Sequence, residues 1–165
     1  MEALKKSKLF EGFSEEELSN FLKYFKPVSF KKGEVIVKEG SPGYSLFVLT
    51  KGKVEVTRKL TLSTAEGFAE AEKAMTEITP ESPYNFFGEM SLIDGSPRSA
   101  TVKALTHGEL LELKKEDFEK LLNQEKDIAI KFLLNIAKAL SERIRSMTAD
   151  ILKLTTALSI ALSNQ

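Results

Sequence analysis

The spacing of apolar residues changes along the chain, and the changes mark its elements. Leu18, Phe21, Leu22 and Phe25 recur at helical spacing behind Ser14-Glu15-Glu16-Glu17, a capping-box pattern, which predicts a short helix ended by Pro27. From Val28 to Arg58 the pattern shortens into β-rich runs split by glycine. Val35-Ile36-Val37, Leu46-Phe47-Val48-Leu49 and Val54-Glu55-Val56-Thr57 read as strands, with turns at Lys32-Gly33, Gly40–Gly43 and Lys51-Gly52. Strands resume at Ser99–Lys103 and Glu109–Leu113, followed by a helix over Lys115–Leu122 and one long helix from about Glu125 towards Leu162. Many short strands at regular spacing predict an α+β fold: a β-roll, or small antiparallel barrel, with N-terminal helices and a long C-terminal helix. Between the strands lies Leu60–Asn85, whose alanine- and glutamate-rich centre, Thr64–Met75, predicts a partly helical insertion ended by Pro80 and Pro83. It reads as a surface loop, or else as a lid or docking element.

The long helix carries its own pattern. Leu133, Ala137, Leu140, Ile144, Met147, Ile151, Leu154, Leu158 and Ala161 alternate by four and three without a break. With Ala137, Ile144, Ile151 and Leu158 at a and Leu133, Leu140, Met147 and Leu154 at d, this is a heptad seam of the kind that pairs two helices. Phe132, Leu134 and Ile136, near its start, are candidates for packing on the chain's own core. Ser141, Arg143, Thr148 and Asp150 flank the seam and offer little complementary charge, so parallel and antiparallel pairing both stay open. Past Thr155 the helix is almost uncharged, and its end is suited to bury against a further protein partner.

Composition narrows the function classes. Lysine and arginine number 24 and aspartate and glutamate 24, so the 165-residue chain has no basic excess of the kind nucleic-acid binders show. Absence of cysteine excludes disulfides and thiolate chemistry and suits a reducing compartment. Neither a signal peptide nor an apolar run long enough to cross a bilayer is present, and a cytoplasmic location is the expectation. The one histidine, His107, lies in a turn without a partner of matched spacing, so no enzyme and no metal or cofactor is expected.

The densest chemistry is in Phe87–Ala104, F-G-E-M-S-L-I-D-G-S-P-R-S-A-T-V-K-A. Gly88 allows backbone to approach a ligand closely. Glu89 offers two acceptors to a sugar hydroxyl. Glu89–Ile93 can form one helical turn, whose free N–H groups suit an anion. Arg98 supplies a fork of donors matched to phosphate oxygens, and Ser99 adds a hydroxyl.

This stretch resembles the phosphate-binding cassette of cyclic nucleotide-binding domains, and the glycine turns at Glu39–Gly43 and Lys51–Val56 resemble those of the family's β-roll. The long helix that follows is similar to the dimerisation helix of catabolite-activator-type regulators. The resemblance implies a β-roll domain over residues 1–124, with the insertion at about 60–85, and a coiled-coil dimerisation helix over 125–165. It implies a sensor for cyclic AMP or another cyclic mononucleotide: Arg98 and Ser99 on the cyclic phosphate, Glu89 and the Gly88 backbone on the ribose, Met90 and Ser91 lining the wall. At the positions where catabolite-activator proteins hold the base stand Arg143 and Ile144. Ser99 is nearer to cyclic-AMP sites than the threonine common in cyclic-GMP sites. Tyr44 replaces an aspartate that in the family orients the cassette arginine, and Asn85-Phe86 replaces a Gly-Asp pair. The chain stops at Gln165, before any helix-turn-helix, so direct DNA binding is not expected. Two alternatives remain: a dimeric interaction module in which Arg98 merely pairs with Glu89 and no ligand binds, or the regulatory half of a trimmed transcription factor.

Overall fold

The computed structural model describes residues 2–64 and 67–163. Helix α1 (Glu2–Lys6), a 3-10 turn (Lys8–Phe10) and helix α2 (Glu15–Leu22) precede the strands. The Ser14 hydroxyl accepts from the Glu17 N–H at 3.1 Å, and the Glu17 carboxylate accepts from the Ser14 N–H at 2.7 Å, so the capping box closes as the sequence predicts. Helix α2 ends at Leu22, short of Phe25, and Pro27 lies inside strand β1 (Lys26–Phe30). Among the described residues β1 pairs only with β8 (Gly108–Lys114). On such an edge strand the missing proline N–H costs no ladder bond.

The other strands are β2 (Val35–Val37), β3 (Ser45–Lys51), β4 (Val54–Thr64), β5 (Gly67–Ile78), β6 (Phe86–Phe87) and β7 (Thr101–Ala104). They form two antiparallel four-stranded sheets, ordered β1-β8-β3-β6 and β2-β7-β4-β5. Phe30, Val37, Phe47, Leu49, Val54, Ile78, Phe87, Val102 and Leu110 fill one core, which the two sheets share. On the far side of the first sheet, Leu46, Val48, Phe86 and Leu113 join Phe21, Phe25, Phe118, Leu121, Phe132 and Ile136 in a second core. Residues 45–49 of β3 are therefore buried without interruption, alternate side chains serving alternate cores.

The segment expected to be a partly helical insertion is a β-hairpin. β4 and β5 pair in register from Val54↔Ile78 to Thr64↔Gly67, with a bulge between Val56 and Thr57. The expected helix Thr64–Met75 is thus strand throughout its described part; Ala65 and Glu66 lie outside the described residues. Helix propensities differ by tenths of a kcal/mol per residue, and a continuous ladder to a neighbouring strand outweighs them. Within β4, only Val54–Thr57 pair with β7, so among the described residues the rest of the hairpin stands as a two-stranded ribbon.

Helix α3 (Glu89–Asp94) follows β6, α4 (Lys115–Gln124) follows β8, and α5 runs for 38 residues, Lys126–Ser163. α5 starts inside the second core, where Ile128, Ala129, Phe132, Ile136 and Ala139 are buried. The Asn135 amide, also buried, donates to the carbonyls of Leu9 and Glu11 at 3.1 and 2.9 Å and ties the helix to the N-terminal turn. Of the residues weighed for packing on the chain's own core, Phe132 and Ile136 are buried and Leu134 is exposed. Leu133 and Leu140, two expected seam positions, also pack against this core. The seam positions Ala137, Ile144, Met147, Ile151, Leu154 and Leu158 are exposed, the last five at 59–70 %.

Candidate functional site

Helix α3 is set between two glycines in the left-handed region, Gly88 at φ 86° and Gly95 at φ 70°. Gly88 meets two demands: a Cβ there would be strained, and it would stand 2.5 Å from Arg98 Nη1 and 2.6 Å from the Ser45 carbonyl oxygen. Glu89 follows at the first helical position and is only 3 % exposed. Ser91 is buried, while Met90 is turned outward and exposed.

Arg98 is fixed at both ends. Its backbone N–H donates to the Ser41 carbonyl at 2.9 Å, and its carbonyl accepts from the Gly40 N–H at 2.8 Å, so the Glu39–Gly43 turn straps the cassette strand in place. Its side chain is 7 % exposed and passes directly over Gly43, where any Cβ would collide with the guanidinium. Nη1 donates to the Ser45 carbonyl at 2.7 Å and, at a longer 3.5 Å, to the Gly88 carbonyl; Nη2 donates to Ser45 Oγ at 3.3 Å. The guanidinium carbon is 5.6 Å from the centre of the Phe47 ring. Burial pushes the Arg98 pKa down from its ordinary value, and the nearby carboxylates of Glu112 and Glu89 oppose that shift. Tyr44 does none of the orienting that an aspartate there would: its ring is 56 % exposed and lies 6.0 Å from Lys115 Nζ. Ser45 and Gly43 hold the arginine instead.

Glu89 pairs with Arg143 of α5, not with Arg98. The Arg143 guanidinium also lies over aromatic faces, 5.3 Å from the centre of Phe86 and 5.8 Å from that of Tyr84. These groups surround one cavity of about 700 Å³. Gly88, Glu89, Met90, Ser91, Arg98, Ser99 and Arg143 all line it. Ile144, the other helix position singled out, is not among its lining residues and is exposed. Sequence reasoning missed much of the wall, including Val56, Arg58, Met75 and Ile78 from the hairpin, Tyr84 and Phe86 at β6, and Ser146 and Met147 from α5. Met75 was hidden by the helix reading of residues 64–75, whereas Val56, in a run read as strand, and Met147, counted to the seam a turn away from Arg143, were open to discovery.

A cavity with apolar walls, a buried guanidinium and a buried carboxylate suits a small ligand that is anionic at one end, hydroxylated beside it and flat and apolar at the other. His107 is exposed in the turn between β7 and β8. Among the described residues no cluster of three or more metal-ligating side chains occurs, and no helix is long and apolar enough to cross a membrane.

Residues 27–125, more than half of the chain, match the cyclic nucleotide-binding domain family. The chain belongs to that family. It is 33 % identical over 130 residues to a cAMP-dependent protein kinase regulatory subunit of Dictyostelium discoideum, covering 73 % of this chain and 38 % of the relative. It is 32 % identical over 148 residues to the cyclic AMP receptor protein of Thermus thermophilus, covering 90 % of this chain and 62 % of that protein. The chain thus spans less than two thirds of either relative. The crystal structure of the Thermus thermophilus catabolite activator protein superposes with a TM-score of 0.74 at 30 % identity, over 90 % of this chain and 63 % of that one. A cyclic nucleotide-binding domain from Methylobacillus flagellatus gives 0.74 at 27 % identity, over 92 % and 79 %. The family's β-roll with N-terminal helices and a long C-terminal helix is the fold found here. These two relatives are named as a regulatory subunit and a receptor protein.

Proposed function

We propose that this chain is a sensor domain that binds cyclic AMP or another cyclic purine mononucleotide and reports it through α5. One observation carries the reading: a buried guanidinium, Arg98, and a buried carboxylate, Glu89, face the same cavity without being paired to each other. A roll that had merely kept its fold would neutralise the two against one another. Among the described residues the Arg98 side chain makes three hydrogen bonds, which leave its Nε–H and one Nη2–H for an anion.

In this reading the cyclic phosphate takes Arg98 and Ser99. The ribose hydroxyl takes Glu89 and the Gly88 backbone, the Met90–Ser91 backbone closes the wall, and the base lies among the apolar side chains beneath Arg143. Because Glu89 is held by Arg143, a ribose hydroxyl on the carboxylate alters a contact made by the long helix. Ligand then biases the helix between poses to the extent that it binds one better than the other. The exposed seam from Ile144 to Leu158 is the surface on which that helix pairs with a second copy, making the chain a homodimer in which residues 125–165 supply the interface. The same exposed face also favours the reading of a dimeric interaction module.

Isothermal titration with cyclic AMP and cyclic GMP tests the proposal. Heat of binding is expected with at least one; folded protein that gives none with either would sink it. Arg98→Ala is expected to weaken binding by an order of magnitude or more, as loss of a charge-assisted bond worth about 1.5–3 kcal/mol implies. Ser99→Ala should cost less.

A further inference from the structure

Arg143 has more donors than the protein uses. A guanidinium carries five N–H groups and accepts nothing. Among the described residues the side chain of Arg143 gives its one hydrogen bond, from Nη1, to Glu89. That ion pair and the rings of Tyr84 and Phe86 hold the guanidinium in place, leaving the Nε–H and Nη2–H side of the fork unspent. The cavity it lines is also walled by Val56 and Ile78, whose side chains offer no acceptor, and by Met75 and Met147, whose thioethers are weak ones. Glu77, the other carboxylate on the lining, is engaged by Lys53 at 2.6 Å.

A flat base entering this space meets a fixed, donor-only group. Guanine presents two adjacent acceptors on one edge, O6 and N7, matched to a guanidinium fork. Adenine presents N7 beside an N6 amino donor, which would set N–H against N–H. We infer that Arg143 is a specificity-determining residue whose free fork favours a 6-oxopurine, so that the cavity takes a cyclic guanine-type mononucleotide more tightly than cyclic AMP. The inference rests on the cyclic nucleotide reading and adds the base to it. Ser99 points the other way by resemblance, but it is exposed at the cavity's edge, whereas Arg143 is anchored. Arg58, the remaining cation on the lining, is exposed and has no ion pair among the described residues to fix its direction.

Titration calorimetry with cyclic GMP, cyclic IMP and cyclic AMP decides the matter. Cyclic IMP keeps O6 and N7 but lacks the 2-amino group, so it separates reading of that edge from reading of the amino group. Both oxopurine nucleotides are expected to bind more tightly than cyclic AMP by roughly 5- to 150-fold, the discrimination of one bidentate base contact. Arg143→Met should bring the ratio below about twofold, whereas Arg145→Met, which removes an exposed cation of the same helix that is not on the cavity lining, should leave it intact. Arg143→Lys keeps a charge beside Glu89 without the fork and should lose the preference too, which serves if the methionine variant does not fold. Cyclic AMP binding as tightly as cyclic GMP, or a preference surviving in Arg143→Lys, overturns the inference and leaves the cyclic nucleotide reading standing. Failure of all three nucleotides to bind overturns both.

Discussion

Gly43 shows how far a single hydrogen atom can control a binding site. Its backbone is unstrained, yet the Arg98 side chain fills the space a Cβ would take. Gly43→Ala should therefore leave the roll folded while displacing the guanidinium from Ser45. Calorimetry is expected to show nucleotide affinity falling by about tenfold or more, with thermal unfolding shifted by less than the roughly 1–3 kcal/mol typical of an overpacked core site. Glu89 and Arg98 were legible in the sequence because cassette residues sit at fixed intervals on one short segment. Ser45, which orients Arg98, was not, because position 98 comes beside position 45 only through the backbone bonds that tie Arg98 to the Gly40–Ser41 turn ahead of β3. Tyr44 was legible as a departure but not in its consequence, since a sequence cannot say which neighbour takes over a missing contact. Likewise the Glu89–Arg143 pair joins residues 54 positions apart and follows only from the way α5 lies across α3.

At the scale of elements, α5 does two jobs along one length. Its first turns belong to the helical core, and Asn135 anchors them to the carbonyls of Leu9 and Glu11. Asn135→Ala strands these acceptors and should cost about 1–3 kcal/mol, read as a drop in the denaturation midpoint. The later turns carry Ile144, Met147, Ile151, Leu154 and Leu158 into solvent. Ile144→Asp combined with Ile151→Asp should give a monomer in sedimentation with the circular dichroism of the roll retained; a dimer that survives both changes would mean the seam is not the interface. The periodicity of this helix was plain from sequence because 38 residues of one element repeat it many times over. Its division into a packed and a free half was not, since Leu133 and Leu140 fit a heptad and a core equally well. The hairpin was misread for the opposite reason: alanine and glutamate carry weak preferences, and the ladder partner that decided the matter, β4, is itself a strand extending well past its β7 neighbour.

For the molecule as a whole, nucleotide should add stability by linkage, about 2.7 kcal/mol at a ligand concentration one hundred times Kd. For a chain of this length that corresponds to a rise of roughly 5–11 °C in Tm, at about 2–4 °C per kcal/mol. Differential scanning fluorimetry should record the rise in the native protein and its loss in Arg98→Ala. The course of any response is set by β3, the strand buried on both faces. A wall shared by two filled rooms cannot bow toward either without opening a void in the other. Its amide protons should accordingly be the slowest to exchange with deuterium, and nucleotide should slow them only by the rise in global stability already given by linkage. Changes in exchange beyond that uniform slowing should gather at Gly88–Asp94 and along α5 beyond Leu140, because the message passes around that wall and not through it.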